Sequence, residues 1–472
     1  MEEDIQITLR QHIEEAYQNA FDEDPQKGRG WQRKCDKFSD VDFILRIILR
    51  ALLPVFSGEA FVQHCQQNLN DEISRSNFFL ANTSPRRVRM LDRVMPLILR
   101  NLHRLLLKLK INHIGEIDYL ERYDCVAFDG HCIKPACHTK LAEGLKNKVN
   151  SCFIMGMDYR TGLVMPLKVL STGFKKRHEA PCLVEACEAN EMRWGLRYNQ
   201  ISVYDRAVSS LDFLVKEHRK SHYLLTREKK TVTWDKTVSI NWDRQDPINR
   251  NVISDSYCYK LIDDELCRFR IVEYSDPIKR KVYRYLSCLP DKMPPGVIAE
   301  LYRRRWQIEK TYDNSKNSLF EQKAWGTSQE THKVQMYAIV SAMNFIRYFQ
   351  EINLWDLEHQ LDSSNDLNKI KKSTKKISHE EKDEIKSTTI TSSLIPKRIH
   401  LSQIKREKRF QKEIDYVKNL GGSLSPLRYV GNLMRLTEFC VRTVQNAILS
   451  SRTVAWLRIQ LKLQSRPRWA GD

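Results

Sequence analysis

The residues best suited to chemistry lie on one predicted helix. With about 100° per residue, four of its polar side chains share an arc of about 60°: Tyr302, Arg305, Glu309 and Lys316. A carboxylate can bind a divalent metal ion through oxygen, and the neighbouring cations can hold phosphate oxygens. The pattern therefore indicates phosphoryl-transfer chemistry. Taken alone, it is equally typical of an amphipathic helix with a surface ion pair between Arg305 and Glu309.

Two aspartates are candidates to complete such a site. Asp129 follows a β-prone run at 123–128, and Asp205 follows another at 201–204. Either aspartate alone would more often be a turn or helix-cap carboxylate. Both are predicted at the carboxyl ends of strands, where the sites of open α/β sheets gather. Because three converging carboxylates can hold two metal ions, we predict Asp129, Asp205 and Glu309 as the catalytic, metal-binding residues.

Other side chains compete for these roles. Asp124 points within the first predicted strand and Asp158 belongs to a hairpin turn, so both are poorer candidates for metal ligands. A cluster of zinc-type ligands follows the first aspartate: His131, Cys132, Cys137 and His138. Structural zinc usually needs two ligand pairs at set spacings, and the sequence shows no second pair. A zinc site is therefore the less favoured interpretation.

The order of patterns along the chain predicts an α/β domain with a β-rich insertion. Strand signals occur at 123–128, 152–157, 163–170, 201–204 and 222–226. Helical patterns occur at 180–194, 208–218, 299–320 and 332–349. Between them, 228–290 has strand signals at 231–234, 267–272 and 282–286, and we interpret it as an insertion.

Helical regions are predicted on both sides of this domain. The N-terminal region, 1–115, is helical and rich in arginine, and two interpretations of it have equal weight. It is either a small DNA-binding domain of helix-turn-helix type or a helical collar with solvated basic faces. The predicted boundaries are 1–115, 116–227, 228–290, 291–355, a low-complexity basic linker at 356–412, and a helical region at 413–472.

Charge and cysteine usage restrict the class of protein. The 472 residues include 78 Lys and Arg against 59 Asp and Glu, a net charge of +19, which favours a polyanionic partner such as nucleic acid. Twelve scattered cysteines and an acidic start predict free thiols and a cytoplasmic protein. The longest apolar stretch, 43–56, contains two arginines and is too short for a membrane span.

These motifs resemble those of the DDE transposases of bacterial insertion sequences, in the subgroup with the signature Y-x2-R-x3-E-x6-K. Tyr302 to Lys316 reproduce that signature with every spacing intact. Phe128-Asp129-Gly130 resembles the first motif of the family, and Val203 to Arg206 resembles the second. The resemblance covers about 75–350. It departs from the family where His131 and Cys132 follow Gly130, because a hydroxyl residue often stands there.

The resemblance implies a ribonuclease-H-like catalytic fold interrupted by a β insertion before the glutamate helix. It implies that Asp129, Asp205 and Glu309 bind two Mg²⁺ or Mn²⁺ ions. The side chains implied to contact DNA are Tyr302, Arg305, Lys316, Trp306 and Arg206. For Trp306, a place in the core is the competing interpretation.

The function implied is that of an insertion-sequence transposase. Such an enzyme binds the inverted-repeat ends of its element, hydrolyses phosphodiester bonds there and joins the freed 3′-hydroxyls to target DNA. The expected partners are double-stranded DNA and a second copy of the chain in a synaptic homodimer, at the nucleoid. Two alternatives stay open: a metal-dependent nuclease on the same fold, and a catalytically silent DNA-binding derivative.

Overall fold

The computed structural model describes residues 9–23, 38–53, 57–69, 73–136, 138–139, 151–170, 184, 199–229, 231–277, 280–318 and 323–363. The chain divides into two units, of which one contains the described residues from 9 to 347. In the other unit the described residues are 348–363, the end of a helix. The predicted C-terminal helical region at 413–472 lies outside the described residues, as does nearly all of the predicted linker. Of the predicted helix at 180–194, the structure describes residue 184, which is helical.

In the described part of the chain, five helices precede the first strand: α1 (Leu9–Asp22), α2 (Asp40–Leu52), α3 (Gly58–Leu69), α4 (Arg75–Asn82) and α5 (Pro85–Lys108). Serine caps begin several of them, since the Ser39 hydroxyl accepts a hydrogen bond from the Asp42 amide at 3.0 Å. Ser84 caps α5 in the same way, and Pro85 stands at its first turn, where no amide donor is needed. These helices lie within 1–115, the segment for which the sequence predicts a helical region.

Nine strands of the described residues form one mixed sheet in the order β3-β2-β1-β4-β5-β9-β8-β7-β6. Their bounds are β1 (Asp124–Ile133), β2 (Ser151–Asp158), β3 (Val164–Leu170), β4 (Gln200–Val203), β5 (Tyr223–Arg227), β6 (Lys236–Ser239), β7 (Val252–Ile262), β8 (Glu265–Asp276) and β9 (Lys281–Ser287). β1 is parallel to β4 and antiparallel to β2, and β4 is parallel to β5. The prediction of an α/β fold is confirmed.

Two details of the predicted strands are wrong. Asp129 lies inside β1 rather than at its carboxyl end, because β2 keeps pairing with β1 as far as Ile133. The predicted strand at 231–234 is not formed, and the strand of this region is β6. The aromatic residue that suggested it, Trp234, instead packs on Phe269 and donates from its indole to Glu228 at 2.6 Å.

The strands of the segment that we interpret as an insertion, 228–290, continue the central sheet. β9 is antiparallel to β5, with Leu225 opposite Ser287, and β8, β7 and β6 follow outward from it. Hydrogen bonding across this junction gives the insertion a fixed position relative to β4 and β5. Within the insertion, Arg270 makes two hydrogen bonds to the buried Asp255 carboxylate, at 2.9 and 2.6 Å.

After β4, the residues that the structure describes form three further helices: α6 (Leu211–His218), α7 (Pro295–Ser318) and α8 (Gln329–Ser363). The apolar side of α7 is buried, with Leu301 and Ile308 fully inaccessible to solvent. Several hydrogen bonds attach this helix to the rest of the fold. Among them, the Tyr159 hydroxyl donates to the Leu301 carbonyl at 3.0 Å, and the Gly296 amide donates to the Asn249 side chain at 2.8 Å. None of the described helices combines the length and apolar character needed to cross a membrane.

Candidate active site

The register between β1 and β4 places the two predicted aspartates side by side. The last parallel pair of these strands is Ala127 opposite Val203, and each aspartate stands two residues further along its own chain. One residue separates each aspartate from this pair: Phe128 precedes Asp129, and Tyr204 precedes Asp205. The rings of these two residues stack at 5.3 Å with an interplanar angle of 17°. Because successive side chains in extended backbone point to opposite faces, this stack directs both carboxylates to the other face of the sheet.

Local hydrogen bonds fix the backbone at both aspartates. The Thr226 hydroxyl on β5 donates to the Asp205 carbonyl at 2.9 Å, and the Tyr204 amide donates to the Leu225 carbonyl at the same distance. The chain therefore stays extended beside β5 after β4 ends. The Asp129 carboxylate accepts a hydrogen bond from the Gly130 amide at 3.0 Å.

The third predicted carboxylate, Glu309, reaches the same place from α7. One guanidinium marks the meeting point, because Arg305 lies within 4 Å of all three acidic side chains. Its Nη2 is 2.5 Å from Glu309 Oε1 and 3.8 Å from Asp205 Oδ1, and its Nη1 is 3.9 Å from Asp129 Oδ2. The structure therefore brings together Asp129, Asp205 and Glu309, which are remote in sequence, around a single positive charge. We call these four residues the carboxylate cluster.

Arg305 is buried, with 6% of its surface exposed. Its hydrogen bond to Glu309 satisfies one nitrogen, whereas its Nε and Nη1 atoms find no hydrogen-bond partner among the described residues. Burial works against its charge, but the hydrogen bond to Glu309 and the charges of Glu309 and Asp129 outweigh it and raise the pKa of Arg305. Arg305 is therefore a permanent cation here, held mainly by electrostatic attraction.

Tyr302 forms one wall beside this guanidinium. Its ring lies 5.6 Å from the Arg305 guanidinium carbon and packs at 4.8 Å on the ring of Tyr285 from β9. Burial raises the pKa of Tyr302 to about 12, so its phenol is neutral at physiological pH. The insertion thus supports the cluster through Tyr285, a packing contact that no sequence motif signalled.

The other predicted DNA-contacting residues are placed less centrally. Arg206 is exposed beside Asp205, and Trp306 is half-buried and absent from the hydrophobic core. Lys316 lies on α7, but its side chain is outside the described residues. Of the five residues predicted to contact DNA, Arg305 and Tyr302 are those that the structure places at the carboxylates.

The donor set suits a hard divalent cation. All three side chains offer carboxylate oxygens, the ligand type that Mg²⁺ and Mn²⁺ prefer, and they already surround a positive group. With the guanidinium between them, the described residues contain no group of three or more His, Cys, Asp or Glu side chains arranged to hold a metal ion. The donor types therefore suit the metal, whereas the described side chains are not arranged to hold one while Arg305 contacts their oxygens.

The competing candidates have other surroundings. Asp158 is buried at the end of β2 and accepts hydrogen bonds from the amide and hydroxyl of Thr161, at 2.9 and 2.5 Å. This confirms its prediction as a turn residue. Asp124 stands at the start of β1 and is half-buried. Of the zinc-type cluster, Cys137 lies outside the described residues.

Sequence reasoning missed residues that support the site without ligating anything. Thr226 fixes the Asp205 backbone, Phe128 and Tyr204 direct the aspartates, and Tyr285 supports Tyr302. The stack of Phe128 on Tyr204 had a weak signal, because an aromatic residue precedes each aspartate. Thr226 and Tyr285 had none.

Comparison with known proteins agrees with this geometry. Residues 123–345 match a family model described as the transposase DDE domain. That segment contains the nine-stranded sheet, α7 and all four residues of the carboxylate cluster. No curated protein matches the chain. The part of the chain that carries the carboxylate cluster is therefore similar to the transposase DDE domain.

Proposed function

We propose that this protein is an insertion-sequence transposase that cleaves DNA at the inverted-repeat ends of its element and joins them to target DNA. The observation that carries the proposal is the convergence of three carboxylates on one guanidinium, inside a segment similar to a transposase DDE domain. The β3-β2-β1-β4-β5 part of the sheet supports the further proposal of a ribonuclease-H-like catalytic fold.

Asp129, Asp205 and Glu309 would hold two Mg²⁺ or Mn²⁺ ions. When bound, such ions supply activation of an attacking oxygen and neutralisation of charge on the leaving oxygen. Three clustered carboxylates would otherwise repel a phosphodiester, so cations at this place are needed before DNA can approach. The partial exposure of the carboxylate side chains, 17% for Asp129, 47% for Asp205 and 38% for Glu309, leaves the cluster open to a ligand from solvent.

The basic residues of α7 would hold the DNA backbone. The planar guanidinium of Arg305 can bind two phosphate oxygens at once, and Tyr302 limits its movement by packing against it. Lys316 and the exposed Arg206 would add contacts with neighbouring phosphates, and Trp306 would stack beside them. The expected partners are double-stranded DNA and a second copy of the chain, because two ends must be handled together for joining.

The decisive experiment uses the full chain and a duplex that carries the inverted repeats flanking its coding region. We expect nicking and joining of this duplex with Mg²⁺ or Mn²⁺. Asp129→Asn, Asp205→Asn and Glu309→Gln should each reduce the rate at least about a thousandfold, because each removes a metal-ligand charge. Asp124→Asn, at the start of the same strand as Asp129, is the matched control and should keep activity within a few fold.

The products separate the remaining alternatives. Nicking without joining of pre-cleaved ends would indicate a nuclease, and metal-independent binding without nicking would indicate a silent DNA-binding derivative. Equal losses in Asp124→Asn and Asp129→Asn would contradict the assignment of the carboxylates.

A further inference from the structure

We propose that Arg305 is an internal counter-cation that occupies the carboxylate cluster in the metal-free protein and is displaced when metal enters. This inference rests on the proposed function and adds regulation to it. In this exchange, the entry of metal releases the guanidinium, which can then bind phosphate. Arg305 therefore becomes available to DNA only once the metal has neutralised the carboxylates.

The first support is charge. Three carboxylates that approach one point repel one another, and each lies within 4 Å of the Arg305 guanidinium. Asp205 Oδ1 and Glu309 Oε1 both lie near Arg305 Nη2, at 3.8 and 2.5 Å. The distance between these two oxygens therefore cannot exceed the sum of those distances. The guanidinium therefore keeps the carboxylates together in the absence of another cation, and it lies between the oxygens that would ligate one.

The second support is incomplete hydrogen bonding. A guanidinium has five N–H donors, and a buried donor without an acceptor costs free energy. Arg305 hydrogen-bonds Glu309, but its distances to Asp129 and Asp205 are beyond hydrogen-bond range. Its side chain is 8% exposed, and two of its nitrogens have no acceptor among the described residues. A side chain held in this way loses little hydrogen bonding when it leaves.

The third support is the position of the surrounding groups. The Asp205 and Glu309 side chains are 47% and 38% exposed, so a cation can approach from solvent while the guanidinium contacts them. The Tyr302 ring flanks the guanidinium and is itself packed on Tyr285. A displaced Arg305 would stay beside the metal because its own helix and this ring restrict it.

The exchange has a measurable consequence without DNA. If Arg305 competes with metal for the same oxygens, removing its charge must strengthen metal binding. We therefore titrate Mn²⁺ into the full chain by calorimetry. Arg305→Met should bind Mn²⁺ about tenfold more tightly than the wild type, whereas Arg305→Lys should stay close to the wild type. Arg303→Met removes an equal charge from the same helix, where Arg303 pairs with Glu300, and should leave Mn²⁺ affinity unchanged.

Two outcomes distinguish failure of this inference from failure of the proposed function. In the first outcome, Asp205→Asn abolishes Mn²⁺ binding, but Arg305→Met binds Mn²⁺ no more tightly than the wild type. This result would overturn the exchange and keep the metal site. In the second outcome, neither the wild type nor Arg305→Met binds Mn²⁺. This result would overturn the metal site and, with it, the exchange.

A second measurement uses the wild type and guards against a variant that does not fold. Phenylglyoxal modifies accessible guanidinium groups, and the extent at Arg305 can be read by mass spectrometry. We expect modification of Arg305 to increase when Mn²⁺ is added. Modification that stays constant while Mn²⁺ binds would contradict displacement of the guanidinium.

Discussion

Two buried arginines face carboxylates in different ways. In the insertion, the Arg270 and Asp255 side chains are 3% and 0% exposed, and two hydrogen bonds join them in a bidentate pair. The carbonyl of Pro290 accepts a further hydrogen bond from Arg270 at 3.2 Å. In the carboxylate cluster, Arg305 is nearly as buried but hydrogen-bonds one carboxylate and approaches two others from a greater distance.

The difference shows how the same pair of chemical groups serves two purposes. One guanidinium with one carboxylate has balanced charge and good geometry, and this arrangement is static because each group satisfies the other. One guanidinium with three carboxylates has an excess of negative charge and unsatisfied donors, and this arrangement favours the entry of a further cation. We infer that the first pair fixes the insertion, whereas the second is suited to exchange.

The largest effect on stability is expected when the ion pair between Arg270 and Asp255 is broken. Arg270→Met should lower the free energy of unfolding by about 3–5 kcal/mol, because it leaves the Asp255 carboxylate buried without a counter-charge. Arg305→Met should lower it by less than about 1 kcal/mol, since its carboxylates can be solvated. Urea unfolding at neutral pH measures both. A double variant, Arg270→Met with Asp255→Leu, should recover most of the loss, and equal effects of Arg270→Met and Arg305→Met would contradict the comparison.

A smaller effect on stability is expected from a third group of charged side chains, Glu300, Arg303 and Arg304 on α7. Burial disfavours the Glu300 carboxylate, but Arg303 and Arg304 outweigh burial and lower its pKa to about 2. Because this pKa lies below the ordinary value of 4.5, the carboxylate contributes stability above pH 4.5 and loses it as the pH falls towards 2. The contribution is roughly 3 kcal/mol.

Glu300→Gln tests that contribution. Unfolding curves from pH 7 to pH 2.5 should show a smaller loss of stability on acidification for Glu300→Gln than for the wild type. Parallel pH profiles of the two proteins would indicate that this cluster, unlike Arg270 with Asp255, is not a fixed support of the glutamate helix.

The smallest effect concerns an exposed arginine, Arg206. Arg206 is exposed beside Asp205, so Arg206→Ala should change the free energy of unfolding by no more than about 0.5 kcal/mol. Affinity for DNA should fall several fold, and the dependence of log affinity on log salt should weaken by about one. The matched control is Arg219→Ala, an exposed arginine paired with Glu265, which should leave DNA affinity unchanged. A steeper salt dependence in Arg206→Ala would contradict a phosphate contact.

Much of the candidate site was predictable because its signals are local. Helical spacing placed Arg305 and Glu309 on one face of a helix, and apolar runs before Asp129 and Asp205 predicted extended backbone leading to both. Separate strand signals at 152–157 and 163–170 predicted the hairpin of β2 and β3, which the structure confirms. Strand ends were less predictable, since β1 passes through Asp129 only because β2 continues to pair with it.

By itself, the sequence determined which residue types could meet and on which side of each element they lie, because side-chain direction follows from local backbone geometry. Tertiary structure decided what those side chains face. The insertion strands extend the central sheet, Tyr285 supports Tyr302, and Arg305 turns towards three carboxylates rather than towards water. These contacts join residues far apart in the chain, and their energies depend on distance and burial, which are quantities that no spacing along the sequence contains.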